Sequence, residues 1–140
     1  MSVQAANVGP VGYMMMPLKR YADFKGRSRR SEFWWFILGW TITYLVLFWI
    51  GSMLPGTTTT TGGGSVNVSG PGLFLPVIWL VATIVPLIAL DVRRLHDTGR
   101  SGWWWFIQLV PFIGAIVLLV FFLQDSQPGT NQWGPSPKGT

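Results

Sequence analysis

Cysteine is absent from the 140-residue chain, and histidine occurs once. The first absence excludes disulfides, thiolate metal sites and cysteine nucleophiles together. The second excludes a phosphohydrolase metal centre of the His-Asp type, which needs several histidines. Charge is also scarce: Asp, Glu, Lys and Arg make up 11% of the residues, against about 25% in ordinary soluble domains. That is too few for a water-exposed surface of this size. Nine tryptophans and nine phenylalanines are more than a small soluble interior can hide. No glycine-rich phosphate loop, serine triad or paired-carboxylate spacing is present. No cofactor and no metal are therefore expected.

Long uncharged runs are what the chain has instead. Residues 33–54, 73–90 and 103–123 are stretches of 22, 18 and 21 residues without a charge. As helices they would reach about 33, 27 and 31 Å, close to a hydrocarbon core of about 30 Å. The expected fold is an all-α membrane protein, a small bundle of three transmembrane helices. A flexible N-terminal tail is expected over 1–17, a single membrane domain over 18–137 and a tail end over 138–140. The third run contains Pro111 and Gly114 near its middle. A kinked continuous span is the reading preferred here, because proline is tolerated where neighbouring groups satisfy the freed carbonyls. The alternative is a re-entrant pair of half-helices, which would return the tail to the side it left.

The basic residues are distributed unevenly. Lys19, Arg20, Lys25, Arg27, Arg29 and Arg30 precede the first run; Arg93, Arg94 and Arg100 lie between the second and third; Lys138 alone is in the tail. The stretch 55–72 carries no charge. The positive-inside rule then puts both basic segments and the amino terminus in the cytoplasm, and three spans put the carboxyl terminus outside. The outer stretch, PGTTTTTGGGSVNVSGPG, lacks an apolar pattern and is expected to be a flexible linker.

The two basic segments echo each other: GRSRRSEFWWFI over 26–37 and GRSGWWWFI over 99–107. Each offers a glycine turn, a serine N-cap (Ser28 or Ser31; Ser101) and an aromatic belt one turn later. Trp34, Trp35, Trp103, Trp104 and Trp105 are thereby interface anchors. Together the segments predict a cytoplasmic basic and aromatic face.

Three motifs, FKGRSRRSEFWWF over 24–36, RRLHDTGRSGWW over 93–104 and PGTNQWGPSP over 128–137, closely resemble in order and spacing the YhaH-like bacterial inner-membrane proteins, the domain-of-unknown-function family 805. The resemblance covers roughly residues 18–137. It implies a bacterial or phage-borne plasma-membrane protein and brings no activity with it.

His96 beside Asp97 is the best catalytic candidate, as a general base with an orienting carboxylate. Mutual charge pairing explains the same residues more simply. Asp91 is three positions from Arg94, Asp97 can satisfy Arg93, Arg100 or an arginine of the first segment, and Glu32 can meet an arginine of the 93–100 stretch. With Arg27, Arg29, Arg30 and His96 these residues form a candidate charge network. It would either bind the anionic headgroups of membrane lipids, with a second copy of the chain or another membrane protein as partner, or act structurally. Nucleic acid is not an expected partner, because the charges abut the bilayer. A membrane enzyme acting on lipid phosphates through His96 and Asp97, and a pore-forming or envelope-stress effector, are the alternatives.

Overall fold

The computed structural model describes residues 9–61, 63–68 and 70–139. Its helices are α1 (Pro10–Lys19), α2 (Arg30–Met53), α3 (Phe74–Asp97) and α4 (Ile113–Leu123), with 3₁₀ segments at Pro71–Leu73 and Gly102–Leu109. Strands β1 (Thr57–Thr61) and β2 (Gly64–Val68) pair antiparallel, Thr57 opposite Val68 and Thr61 opposite Gly64.

Two of the elements are long and apolar enough to cross a membrane: Arg30–Met53, and Pro71–Asp97 counting the 3₁₀ turn that leads into α3. Only 11% and 28% of their most apolar windows are buried. A soluble core helix hides such residues; here Trp49 is 60% and Val81 64% exposed, as side chains facing lipid would be.

Four expectations need correction. The segment read as a flexible tail carries α1, which opens on Pro10 in the first turn, where a missing N–H costs nothing, and ends on Lys19, which suits the negative end of the dipole. Tyr13 and Pro17 of this helix are buried; residues 1–8 of the expected tail lie outside the described residues. The threonine and glycine stretch read as a linker forms the β1–β2 hairpin. Consecutive β-branched threonines favour an extended backbone, a preference that the search for an apolar pattern did not register. Helix α3 continues past Leu90, the end of the second uncharged run, to Asp97, so Arg93, Arg94, His96 and Asp97 stand on helix and not in the connection between runs.

The fourth correction concerns the expected third span, which is divided. The 3₁₀ arm ends at Val110, whose ψ of 112° is the extended conformation imposed before a proline. At Phe112 the backbone turns at φ 63°, ψ −54°, with Ile113 N–H donating to Pro111 O at 2.7 Å. This is the strained γ-turn geometry with positive φ. α4 then packs back on the arm. A Cβ at Gly114 would stand closer than 3.0 Å to the Ile107 carbonyl, so only glycine admits this approach.

The chain divides into two units, residues up to Ile37 with those from Val85 onward, and Leu38–Ile84. In the second, Trp40 Nε1 donates to Thr83 Oγ1 at 2.7 Å, joining α2 to α3, and Trp40 stacks on Tyr44. The first holds the core: Phe33, Phe36, Leu90, Leu95, Leu118 and Phe122 are buried, with Phe33 and Phe122 rings 4.7 Å apart. Alongside them, Arg93, Arg94 and Asp97 are fully buried.

Candidate functional site

Asp97 is the last residue of α3, and its carboxylate is shared among three donors. Arg27 Nε donates to Oδ1 at 3.0 Å, while Arg94 Nη1 and Ser126 Oγ both donate to Oδ2. The two guanidiniums are otherwise spent on backbone. Arg27 donates to the carbonyls of Gly129 at 2.7 Å, Gly134 at 3.4 Å, Asp97 at 3.2 Å and Gln127. Arg94 donates to Phe122 O at 3.1 and 3.3 Å, Ser28 O at 3.4 Å and Gln124 O. Arg94 thus satisfies carbonyls that the end of α4 leaves open. Arg27, from the segment before α2, closes the tail onto α3, and Gln127 N–H adds a bond to Asp97 O at 2.8 Å.

Arg93 turns the other way. Its Nη1 lies 3.7 Å from Glu32 Oε1, and its Nε donates to Ala89 O at 3.3 Å. Among the described residues, neither its Nη1 nor its Nη2 finds a hydrogen-bond acceptor. Arg93 O accepts from Ser28 N–H at 3.2 Å, a backbone bond between the two basic segments.

Several expected pairings differ. Asp91 does not meet Arg94; it accepts from Trp105 Nε1 at 3.0 Å, so this indole is held by a carboxylate. Arg100 does not reach Asp97. Its Nη1 donates to Gln124 Oε1 at 2.7 Å, and its guanidinium lies 4.0 Å from the centre of the Phe121 ring. Arg29 donates to the Tyr13 hydroxyl at 3.4 Å. Ser28 and Ser31 Oγ are buried without a hydrogen-bond partner among the described residues, so neither caps α2, whereas Ser101 Oγ accepts from Trp103 N–H at the start of the 3₁₀ arm.

His96 and Asp97 have separate partners. His96 Nδ1 bonds to Gly26 O at 3.1 Å, and the imidazole stacks on Trp133 with centroids 4.6 Å apart and planes 7° from parallel. A base and its orienting carboxylate must share a hydrogen bond; these two share none. Among the described residues no group of three or more His, Asp or Glu could hold a metal. Trp103 and Trp104 are exposed, with Trp104 edge-on to Phe121; Trp34 and Trp35 are half-buried at the start of α2.

Sequence reasoning missed the tail. Ser126 and the carbonyls of Gln124, Gln127, Gly129 and Gly134 complete the network, and Asn131 Nδ2 donates to His96 O at 3.0 Å. For Gly129, Asn131 and Gly134 the signal was the PGTNQWGPSP motif, whose turn residues present successive carbonyls; Gln124, Ser126 and Gln127 precede it.

Known proteins resemble the chain over most of its length. Over 121 residues the chain is 41% identical to Inner membrane protein YhaH of Escherichia coli (strain K12), covering 86% of this chain and 92% of that protein. It is 40% identical over 126 residues to Inner membrane protein YhaI of the same strain, covering 86% and 91%. No solved structure matches the chain. The family described as Protein of unknown function (DUF805) matches residues 21–135, and the chain belongs to that family.

Proposed function

We propose that this chain is a non-catalytic, multi-pass protein of the bacterial inner membrane that crosses the bilayer twice, dips into it once more, and holds anionic lipid headgroups at its cytoplasmic face. The names of the relatives support the location. The lengths support the topology: an eight-residue 3₁₀ arm and an eleven-residue α4 each reach about 16 Å, half of a core of about 30 Å. Both ends of this excursion abut the end of α3, since Ser101 follows Asp97 closely in sequence and Arg94 holds the carbonyl of Gln124. Both termini and both basic segments then share the side that the positive-inside rule makes cytoplasmic.

The observation that carries the lipid reading is the division of labour among cations. Arg27 and Arg94 are buried and saturated, whereas Lys19, Lys25 and Arg30 are exposed, and their side chains make no hydrogen bond or salt bridge among the described residues. Each contributes about 1 kcal/mol of attraction to an anionic leaflet. A second copy or another membrane protein would meet the exposed Trp103 and Phe112 faces, 78% and 87% accessible. Replacing Lys19, Lys25 and Arg30 together by Gln should lower the phosphatidylglycerol retained on purification in mild detergent several-fold, with the thermal midpoint unchanged. Unchanged retention would overturn the headgroup role.

A further inference from the structure

A cavity of about 710 Å³ opens between α3, the 3₁₀ arm and the tail. Its walls are apolar and largely aromatic, with Phe24, Val92, Trp105, Phe106 and Trp133 among them, and its polar side chains are His96, Ser101 and the indoles. Among the described residues no lysine, arginine or carboxylate lines it. Whatever enters is therefore uncharged where it touches the wall, since a buried ion would have no counter-charge.

His96 sets the polarity of the missing partner. Only 8% of the residue is exposed. Its Nδ1 faces the Gly26 carbonyl, and a carbonyl can only accept, so Nδ1 carries the proton. In the neutral imidazole, Nε2 is then a lone-pair acceptor. Nε2 faces Gly102, 3.5 Å from where a Cβ would stand, and Gly102 is itself part of the cavity wall. Among the described residues Nε2 has no hydrogen-bond partner; Trp133 stacks on the ring from the tail side, while Asn131 holds the His96 backbone carbonyl. Nε2 is thus an acceptor on a residue nine-tenths buried, unpaired among the described residues and reached from an apolar cavity, where an entering donor can satisfy it.

We infer that this cavity binds an uncharged, membrane-soluble amphiphile whose head hydroxyl donates to His96 Nε2 while its apolar body lies against the Trp105, Phe106 and Trp133 rings. The volume lies within the range of small-molecule sites. Two bilayer components carry this chemistry, the ring hydroxyl of a quinol and the glycerol hydroxyl of a diacylglycerol. This binding goes beyond the headgroup contact proposed above and does not depend on it.

His96 is the only histidine, so its imidazole ¹⁵N signals identify themselves. The full chain in phosphatidylcholine nanodiscs is titrated with 4-octylphenol and with 4-octylanisole, which differ in the hydroxyl proton, and in parallel with dioctanoylglycerol and a short-tailed ubiquinol. A saturable shift of the Nε2 signal by at least one hydroxyl-bearing probe, at concentrations about tenfold below those needed for the anisole, is expected from one added hydrogen bond. The ubiquinol and glycerolipid arms name the source. Equal response to phenol and ether, or no saturable response to any hydroxyl-bearing probe, overturns the assignment. A His96→Phe variant, which keeps a ring and removes the acceptor, should bind phenol and ether alike when binding is read from the fluorescence of the tryptophans that line the cavity.

Discussion

Asp97 and His96 are neighbours in sequence with opposite duties, and single substitutions separate them. Asp97→Ala leaves the Arg27 and Arg94 guanidiniums buried without their shared carboxylate, a loss of about 3–5 kcal/mol for one partner of a buried pair. His96→Gln loses one neutral hydrogen bond and a ring stack, about 1–2 kcal/mol. Thermal unfolding in detergent should therefore rank Asp97→Ala far below His96→Gln; the reverse order would restore a catalytic reading of the pair. Away from the helices, Asp23 braces the turn before α2. Partial burial pushes its carboxyl up, but the Arg20 hydrogen bonds at 2.6 and 2.9 Å and the Lys25 N–H outweigh this and hold it below the usual carboxylate value of 3.8. Because its folded pKa is depressed, the brace is complete above the unfolded value and is lost as pH falls through the lower folded one. The protection factor of the Lys25 amide, its exchange rate relative to the unprotected rate at the same pH, should fall in that acid window and stay constant between about pH 5 and 7.

At the scale of elements, the excursion over Gly102–Leu123 rests on two backbone positions with opposite tolerance. Gly114→Val must force α4 off the arm, because the obstacle is the Ile107 carbonyl and not a side chain that can rotate; a loss of about 3 kcal/mol or more is expected. Phe112→Gly removes a side chain from a positive-φ turn that disfavours one, a relief of about 1–3 kcal/mol against roughly 1 kcal/mol of added chain entropy. Circular dichroism melts should show it at least as stable as the parent. This element also marks the limit of what the sequence discloses. Apolar length identified α2 and α3, whose long uncharged runs have one physical explanation. The same measure was blind to the excursion, since a 21-residue run is equally apolar whether it crosses or folds back, and only Pro111 and Gly114 tell the two apart. In the site, the charged members were legible as side chains. The groups that saturate Arg27 and Arg94 were not, because most are backbone carbonyls, and a carbonyl is present at every position of every sequence.

For the whole molecule, the decisive question is on which side the tail lies. The cysteine-free background makes it answerable: Gly56→Cys, just before β1, should react with a membrane-impermeant maleimide in intact spheroplasts, and Lys138→Cys only after lysis. Labelling of Lys138→Cys before lysis would return the chain to three full spans. The closure of the tail over Arg27 also has a consequence in time. Gln127, Gly129 and Gly134 are added to the chain 100, 102 and 107 residues after the arginine they will hold, an interval of about 5–20 s at ordinary rates of synthesis. During that interval Arg27 has none of these carbonyls to bond and is a bare cation beside the start of α2. On the proposed topology it would therefore act first as one of the charges that keep this end of α2 in the cytoplasm, and only afterwards as the clasp of the finished chain.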